Sequence, residues 1–413
     1  MNKSLAVTGN AGPKVRSDCE ITLELTSGGG ISIDLASRVM ALYGESIKSL
    51  VSAVLLHFGV SNALVRVNDS GALPFVISAR VEAAVKKLIE SDHEYLPELL
   101  SENCYPTARD RFRFARLYLP GNTPGLMINA GLHSAEGIIL DLEDSVAPEK
   151  KDEARFLVRN ALRQLNFFGA ERMVRINQGL RGLEDLSFVI PHHVNLVLIP
   201  KCESADYVRT VNDKIEDIKK RNNLDNSVYL MPIIETALGV ENAFDIAQSS
   251  ENVVAMALGL EDYTTDLGVP RTVEGTESFY ARTRLVVAAR AAGIQPIDSV
   301  FSDVGDMEGL LKTVKISKSL GFEGMGCIHP RQIQVIRQGY APETDEIDKS
   351  KKIVIAFEAA SEKGLGVVAL GTKMIDPPVV ARAEKTLDLA VRLGLLNEKW
   401  RQEYSSSEKN ELS

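Results

Sequence analysis

Eight short apolar runs spaced between residues 112 and 330 restrict the fold of this 413-residue chain more than any other feature. They are "RLYLP" (116–120), "GIILDLE" (137–143), "RMVRIN" (172–177), "VNLVLIPK" (194–201), "VYLMPIIE" (228–235), "VVAMALGLED" (253–262), "PIDSVFSD" (296–303) and "GFEGMGCIHP" (321–330). A strand that is apolar almost without interruption is covered on both faces, and parallel strands need helical crossovers between them. The segments separating the runs are long enough for such helices. The pattern therefore predicts α/β architecture, a parallel (β/α)8 barrel of the TIM type. An open doubly wound sheet competes, but no GxGxxG follows the first run. Residues 345 to 395 add helical segments and the glycine-rich "KGLGVVALGTKMIDPP" beyond the barrel.

The chain is longer than one domain usually runs, and its start has a different grammar. Residues 18 to 35 alternate apolar and polar around Gly28-Gly29-Gly30, the pattern of two strands joined by a glycine turn. Residues 36 to 58 carry apolar positions at helical spacing, and "NALVRVNDSGALPFVISARVEAAVKKLIE" predicts strand, Asp-Ser-Gly turn, strand and helix. The expected organisation is a small α+β domain (1–92), a polar linker with Pro97 and Pro106 (93–111), the barrel (112–340) and a C-terminal helical extension (341–413).

Lys+Arg total 47 against Asp+Glu 56, a net charge of −9, and no basic run stands out, which disfavours nucleic acid as a partner. No apolar run reaches the length of a membrane span, and "MNKSLAVTGNAG" lacks the apolar core of a secretory signal, so a soluble cytoplasmic protein is expected. Cys19, Cys104, Cys202 and Cys327 lie far apart with no CxxC pair, which points to free thiols.

A barrel sets its site at the C-terminal ends of its strands. There the chain puts Asp141, Glu143 and Asp144, then Arg175 and Asn177, Lys201, Glu235, Glu261 and Asp262, and Asp298 with Asp303. Singly, each could be a helix cap or a surface ion pair. Together they line one rim. Glu235 and Asp262 stand on adjacent strands, and two neighbouring carboxylates raise each other's pKa unless a cation is shared between them. Mg2+ suits this: it takes one or two protein carboxylates and completes its shell with water and substrate oxygens. A histidine zinc site does not suit it, because only His329 falls near the rim. Arg175 offers a planar, permanently charged fork to a carboxylate or an enolate. Asp141, Glu143 and Asp144 then fall behind the metal ligands, orienting metal-bound waters and pairing with Arg175.

The motifs "RLYLPG", "GIILDLEDSVAPEKKDEAR", "VRIN", "LIPK", "PIIETALGVENAFDIA", "ALGLEDY", "EGTESFYAR", "IDSVFSD", "GFEGMGCIHPRQI" and "ALGTKMIDPP" resemble, in this order, the citrate lyase β-subunit family, which includes malyl-CoA and citramalyl-CoA lyases. The resemblance implies a Mg2+-dependent barrel that cleaves a 3-hydroxy-3-carboxylic acyl thioester into an acetyl-type thioester and a 2-oxo acid. It implies Glu235 of "IET" and Asp262 of "LEDY" as metal ligands and Arg175 of "VRIN" as the polarising arginine. It gives Asp376 of "KMID" the proton of the acyl enolate in a neighbouring subunit's site, hence a homo-oligomer, trimer or hexamer. Arg116 resembles an arginine that meets the phosphates of the thioester carrier. Some relatives that use CoA carry a lysine in the helix after "PG", where this chain has Asn129. The glycines of "GLGVVALGTK" lack the GxxxxGK[ST] order of a phosphate loop and read instead as a mobile segment delivering Asp376.

Residues 10 to 90, through "AGPKVRSDCEI" and "VNDSGALPFVISARVEAA", resemble the acyl-carrier (γ) subunit of citrate lyase. In that family a serine two residues before the aspartate bears the prosthetic arm. Here Arg16 holds that position before Asp18, and Ser17 comes one residue late, which on a strand turns it to the opposite face. A vestigial or docking domain is expected in place of a loaded carrier. Three alternatives accompany the lyase: a β-like component acting only on a carrier-bound thioester beside citrate lyase-type α or carrier partners, an enzyme that condenses or hydrolyses the thioester, and a non-catalytic assembly subunit.

Overall fold

The computed structural model describes residues 4–362, 364–371 and 373–404. Two compact units divide the chain, Met1–Ile336 and Arg337–Ser413.

The first unit opens with a four-stranded sheet of β1 (Leu5–Gly9), β2 (Cys19–Leu25), β3 (Ile31–Ser37) and β4 (Ala63–Asp69). Its order is β1-β2-β4-β3, so the two strands flanking the glycine loop do not form a hairpin. The reason is α1 (Met40–His57), which links β3 to β4 as a crossover and brings them together in parallel, leaving β4 to pair antiparallel with β2. The second strand expected after Asp-Ser-Gly is absent: "PFVIS" is the first turn of helix α2 (Pro74–Lys86). Pro74 sits at N1, where its missing N–H costs nothing, and Leu73 is extended before it. Every residue from Phe75 to Val85 is buried, so the apolar run reads like a strand although it is helical.

The barrel follows: β5 (Ala115–Pro120), β6 (Gly137–Asp141), β7 (Glu171–Arg175), β8 (Leu196–Ile199), β9 (Tyr229–Ile234), β10 (Ala255–Leu258), β11 (Gln295–Ile297) and β12 (Met325–Cys327). All neighbours pair in parallel, β12 joins β5, and a bridge between Asp298 and Met325 closes the ring. Each expected run overlaps one strand, and β5, β7 and β11 begin one residue before their runs. The interior is packed by Ile139, Met173, Leu198, Met231 and Ile297, among others. The barrel is a filled core with its only working face at the strand ends.

α2 lies between the small sheet and barrel helix α4 (Lys151–Gln164), which follows β6. Arg80 on α2, fully buried, holds Asp18 through two parallel bonds (Nε–Oδ1 3.0 Å, Nη2–Oδ2 2.9 Å) and reaches Glu153 of α4 at 3.4 Å. Arg159 of α4 forks onto Glu82 of α2, and Asn160 donates to the carbonyl of Phe75. The expected linker is fastened too: Asn103 donates to the carbonyls of Leu162 and Leu165, and Tyr105 to that of Ala170.

The second unit holds the helices Thr344–Ser361 and Pro377–Arg392 around Val354, Leu387 and Trp400. The segment expected to be mobile contains two short antiparallel strands, β13 (Val368–Leu370) and β14 (Lys373–Ile375).

Candidate active site

The strand ends of the barrel surround a cavity of about 240 Å³, lined among others by Arg116, Tyr118, Asp141, Arg175, Glu235 and Asp262. Asp141 and Arg175 are the last residues of β6 and β7 and face each other in register. That register produces a two-pronged ion pair, Nε–Oδ1 and Nη2–Oδ2 both 2.7 Å. The third guanidinium nitrogen lies 3.1 Å from Glu143 and 3.8 Å from Asp144, and the plane sits 5.4 Å from the centroid of the Tyr118 ring. Burial alone would raise the Asp141 carboxyl, but Arg175 outweighs it and holds the pKa below the ordinary value. Burial likewise opposes the Arg175 charge and Asp141 overcomes it, so the arginine is cationic at any working pH.

Glu235 stands one residue past β9 at 3% exposure, and its Oε2 has no hydrogen-bond partner. Burial, reinforced by Asp262, raises its pKa to about 8. Gly259 leaves it room: a Cβ there would come within 2.6 Å of the Glu235 Cγ. Asp262 lies in the first turn of the helix Leu260–Leu267, where the amide ends favour an acid, and its side chain is 42% exposed. The Leu260 amide donates to Ser299 Oγ at 3.0 Å, tying this turn to the end of the next strand.

Lys201, noted in sequence only as the end of a strand, supplies a second cation. Its Nζ is 3.4 Å from Asp262 and 3.9 Å from both Glu143 and Asp144, and its φ of 44° is strained for a non-glycine residue. Burial lowers its pKa, and Asp144, Asp262 and Glu143 more than reverse this. The signal was present in "LIPK", where a lysine closes an otherwise apolar strand.

Of the other expected site residues, Arg116 lines the same cavity at depth and Asp376 belongs to the second unit. Arg116 is 1% exposed near the start of β5, with Nη1 2.9 Å from Met231 Sδ, and lines the cavity from inside the barrel. The arginine expected to meet a carrier's phosphates is thus set below the rim, at the floor of the cavity. Asp376 belongs to the second unit, where its carboxylate accepts from the Val379 amide at 3.3 Å and caps the helix Pro377–Arg392. Ser17 precedes β2 instead of lying on it, with φ 57° and its amide donating to the Ser70 carbonyl.

The residues present fit a divalent cation. A buried carboxylate oxygen without a donor, beside a second carboxylate, needs positive charge, and an all-oxygen pair suits a hard ion. Among the described residues no three His, Cys, Asp or Glu side chains form a cage, so water and substrate would complete the shell.

A closed barrel whose mouth combines such a carboxylate pair with an acid-clamped arginine is an enzyme for anionic, oxygen-rich substrates. The HpcH/HpaI aldolase/citrate lyase model matches residues 115–330, and the acyl-carrier model described as malonate decarboxylase delta subunit matches residues 7–88. The chain is 37% identical to the citrate lyase β subunit of Leuconostoc mesenteroides over 68% of its own length and 94% of that protein's. It is 30% identical to human mitochondrial citramalyl-CoA lyase over 73% of this chain and 88% of the relative. The crystal structure of CitE from Mycobacterium tuberculosis with magnesium, acetoacetate and coenzyme A is 30% identical and covers 68% of this chain and 99% of its own, with a TM-score of 0.57. The chain belongs to the HpcH/HpaI aldolase/citrate lyase family and is a carbon–carbon lyase.

Proposed function

We propose that the protein is a Mg2+-dependent lyase that cleaves a 3-hydroxy-3-carboxylic acyl thioester, of the citryl, citramalyl or malyl type, into an acetyl-type thioester and a 2-oxo acid. The observation that carries this is Glu235, buried, lacking a donor and set beside Asp262 within reach of Arg175.

Glu235 and Asp262 would hold the ion, which when bound supplies Lewis acidity to the hydroxyl and carboxylate oxygens of the substrate. Arg175 stabilises the charge that gathers on the oxygen of the departing oxo acid, and its acid clamp fixes it before substrate arrives, so no reorganisation is spent during the reaction. The hydroxyl gives its proton to solvent at the open mouth, and its O–H electron pair forms the carbonyl of the oxo acid. As the bond between that carbon and the α carbon breaks, the electron pair of the C–C bond becomes the thioester enolate. Asp376 of a neighbouring protomer protonates that carbon, which makes the working form a homo-oligomer. Lys201 holds Glu143, Asp144 and Asp262 together and limits their mutual repulsion.

Asp262→Ala is expected to abolish Mg2+-dependent cleavage of all three CoA thioesters while the melting temperature stays within a few degrees of wild type. Turnover retained by that variant would overturn the metal assignment. A carrier-bound thioester is the second reading, favoured by the carrier-like domain at residues 7–88. Arg16 at the attachment position and the buried pairs that fix α2 speak for free CoA instead.

A further inference from the structure

A carrier domain must travel, whereas this one is fastened, and the place where it is fastened is informative. Lys150, in the β6–α4 connection that also carries Glu143 and Asp144, donates to the Gly9 carbonyl at 2.7 Å, while the Gly9 amide donates to Glu153. Arg80 donates to Asn122 Oδ1 at 2.6 Å, and Asn10 to the Asn122 carbonyl. Asn122 follows Gly121, whose amide bonds Asp141, the partner of Arg175. Helix α3 (Pro124–Met127) then meets the loop before β2: a Cβ on Gly125 would lie 2.9 Å from the Arg16 carbonyl. The domain is thus seated on the loops after barrel strands β5 and β6, at the C-terminal face that holds the site, with the carrier-type attachment position against the rim.

That position bears charge. Lys14 and Arg16 are exposed on a turn closed by the Val15 amide on the Gly12 carbonyl. Beside the turn lies a surface cleft of about 470 Å³ lined by Gly12, Pro13, Ser37 and Arg38 among others. Its one carboxylate, Asp69, is already engaged by the Ser37 hydroxyl and the amides of Gly71 and Ala72, and the nearby Asp18 is held by Arg80. Arg38 in the lining of a polar cleft, with Lys14 and Arg16 exposed on the segment that follows its Gly12 and Pro13 and the neighbouring acids occupied internally, forms a surface for phosphate.

We propose that the Gly12–Arg16 turn and its cleft bind the phosphate-bearing end of a free nucleotide thioester, with Lys14, Arg16 and Arg38 as its contacts, so that the carrier-like domain serves as a fixed wall of the site. This rests on the lyase reading and deepens it by naming free coenzyme A, not a protein-borne arm, as the acyl carrier.

The test compares one acyl group on coenzyme A and on N-acetylcysteamine, which has no phosphate, with wild type and Lys14→Gln/Arg16→Gln. The wild-type preference in kcat/KM for the CoA thioester is expected to fall about tenfold or more in the variant, and to weaken in wild type as salt is raised. An unchanged preference would overturn the proposal. If wild type cleaves neither thioester, the lyase reading fails on its own account, and calorimetry with coenzyme A alone decides the cleft: the proposal requires wild-type binding that the variant loses about tenfold, and equal or absent binding sinks it.

Discussion

Glu235 shows how a single side chain can report what a site is for. An isolated carboxyl buried this far ionises reluctantly, which is why its pKa rises to about 8, and a protein retains such a group where a cation or substrate repays the cost. Gly259→Ala tests the fit, because its Cβ would push into the Glu235 side chain. The Mg2+ concentration for half-maximal activity is expected to rise about tenfold with little loss of thermal stability, and an unchanged requirement would show that Glu235 does not need its present position. His192 carries a second residue-scale prediction. It is 3% exposed, accepts at Nδ1 from Arg163 at 3.1 Å, and burial followed by repulsion from Arg159 and Arg163 lowers its pKa to about 3. The folded form therefore stays neutral while the unfolded chain binds a proton below the ordinary value of 6.5. Stability from this group is present above that value and is lost as pH falls toward the folded pKa, by about 2 kcal/mol between pH 7 and 5. Urea unfolding at both pH values should show a smaller difference for His192→Gln than for wild type; equal differences would assign the acid sensitivity elsewhere. At this scale the acids and Arg175 were legible in sequence because they end apolar strands. The depth of Arg116 was not, since position along a strand, and not residue type, decides whether an arginine meets solvent.

α2 shows what a pattern can and cannot say about an element. Its run "FVISARVEAAV" is buried on every side, between a sheet and a barrel helix, so neither a period of two nor one of 3.6 emerges and a strand is the natural misreading. The arginine inside it was the better clue, since a fully buried guanidinium must find carboxylates, and Asp18 and Glu153 are those partners. Arg80→Met should destabilise the chain by about 3 kcal/mol, because it leaves Asp18 buried without its cation, while Glu153 keeps Lys87 and Lys150. Guanidinium unfolding would measure it, and a loss below about 1 kcal/mol would show that the sheet and α2 hold the barrel by apolar packing alone. The barrel strands were legible for the opposite reason: each is short, apolar and bounded by a helix, so period and length agree. The order of the small sheet was not, because the β3–α1–β4 crossover that sets it is a matter of chain handedness, which residue alternation does not encode.

At the scale of the whole molecule, one protomer supplies the carboxylate pair, the clamped arginine and the docked carrier-like wall within a single compact unit, while Asp376 caps a helix in the other. Among the described residues the Asp376 carboxylate accepts from the amide of its own helix turn, through one oxygen, which leaves lone pairs for a proton transfer. If it acts in a neighbour's site, every working site needs Asp262 from one protomer and Asp376 from another. Asp262→Ala and Asp376→Ala should each be inactive as pure assemblies. Co-expressed in one cell at equal levels and purified together, they should regain activity, since random assortment in a closed ring gives about one quarter of the sites both intact residues. Activity no greater than the sum of the two pure variants would place Asp376 and Asp262 in the same protomer's site or remove Asp376 from the chemistry. The pure Asp376→Ala protein separates those outcomes: exchange of the acetyl-type thioester's α protons with solvent, followed by NMR, is lost if Asp376 handles that proton and persists if it does not.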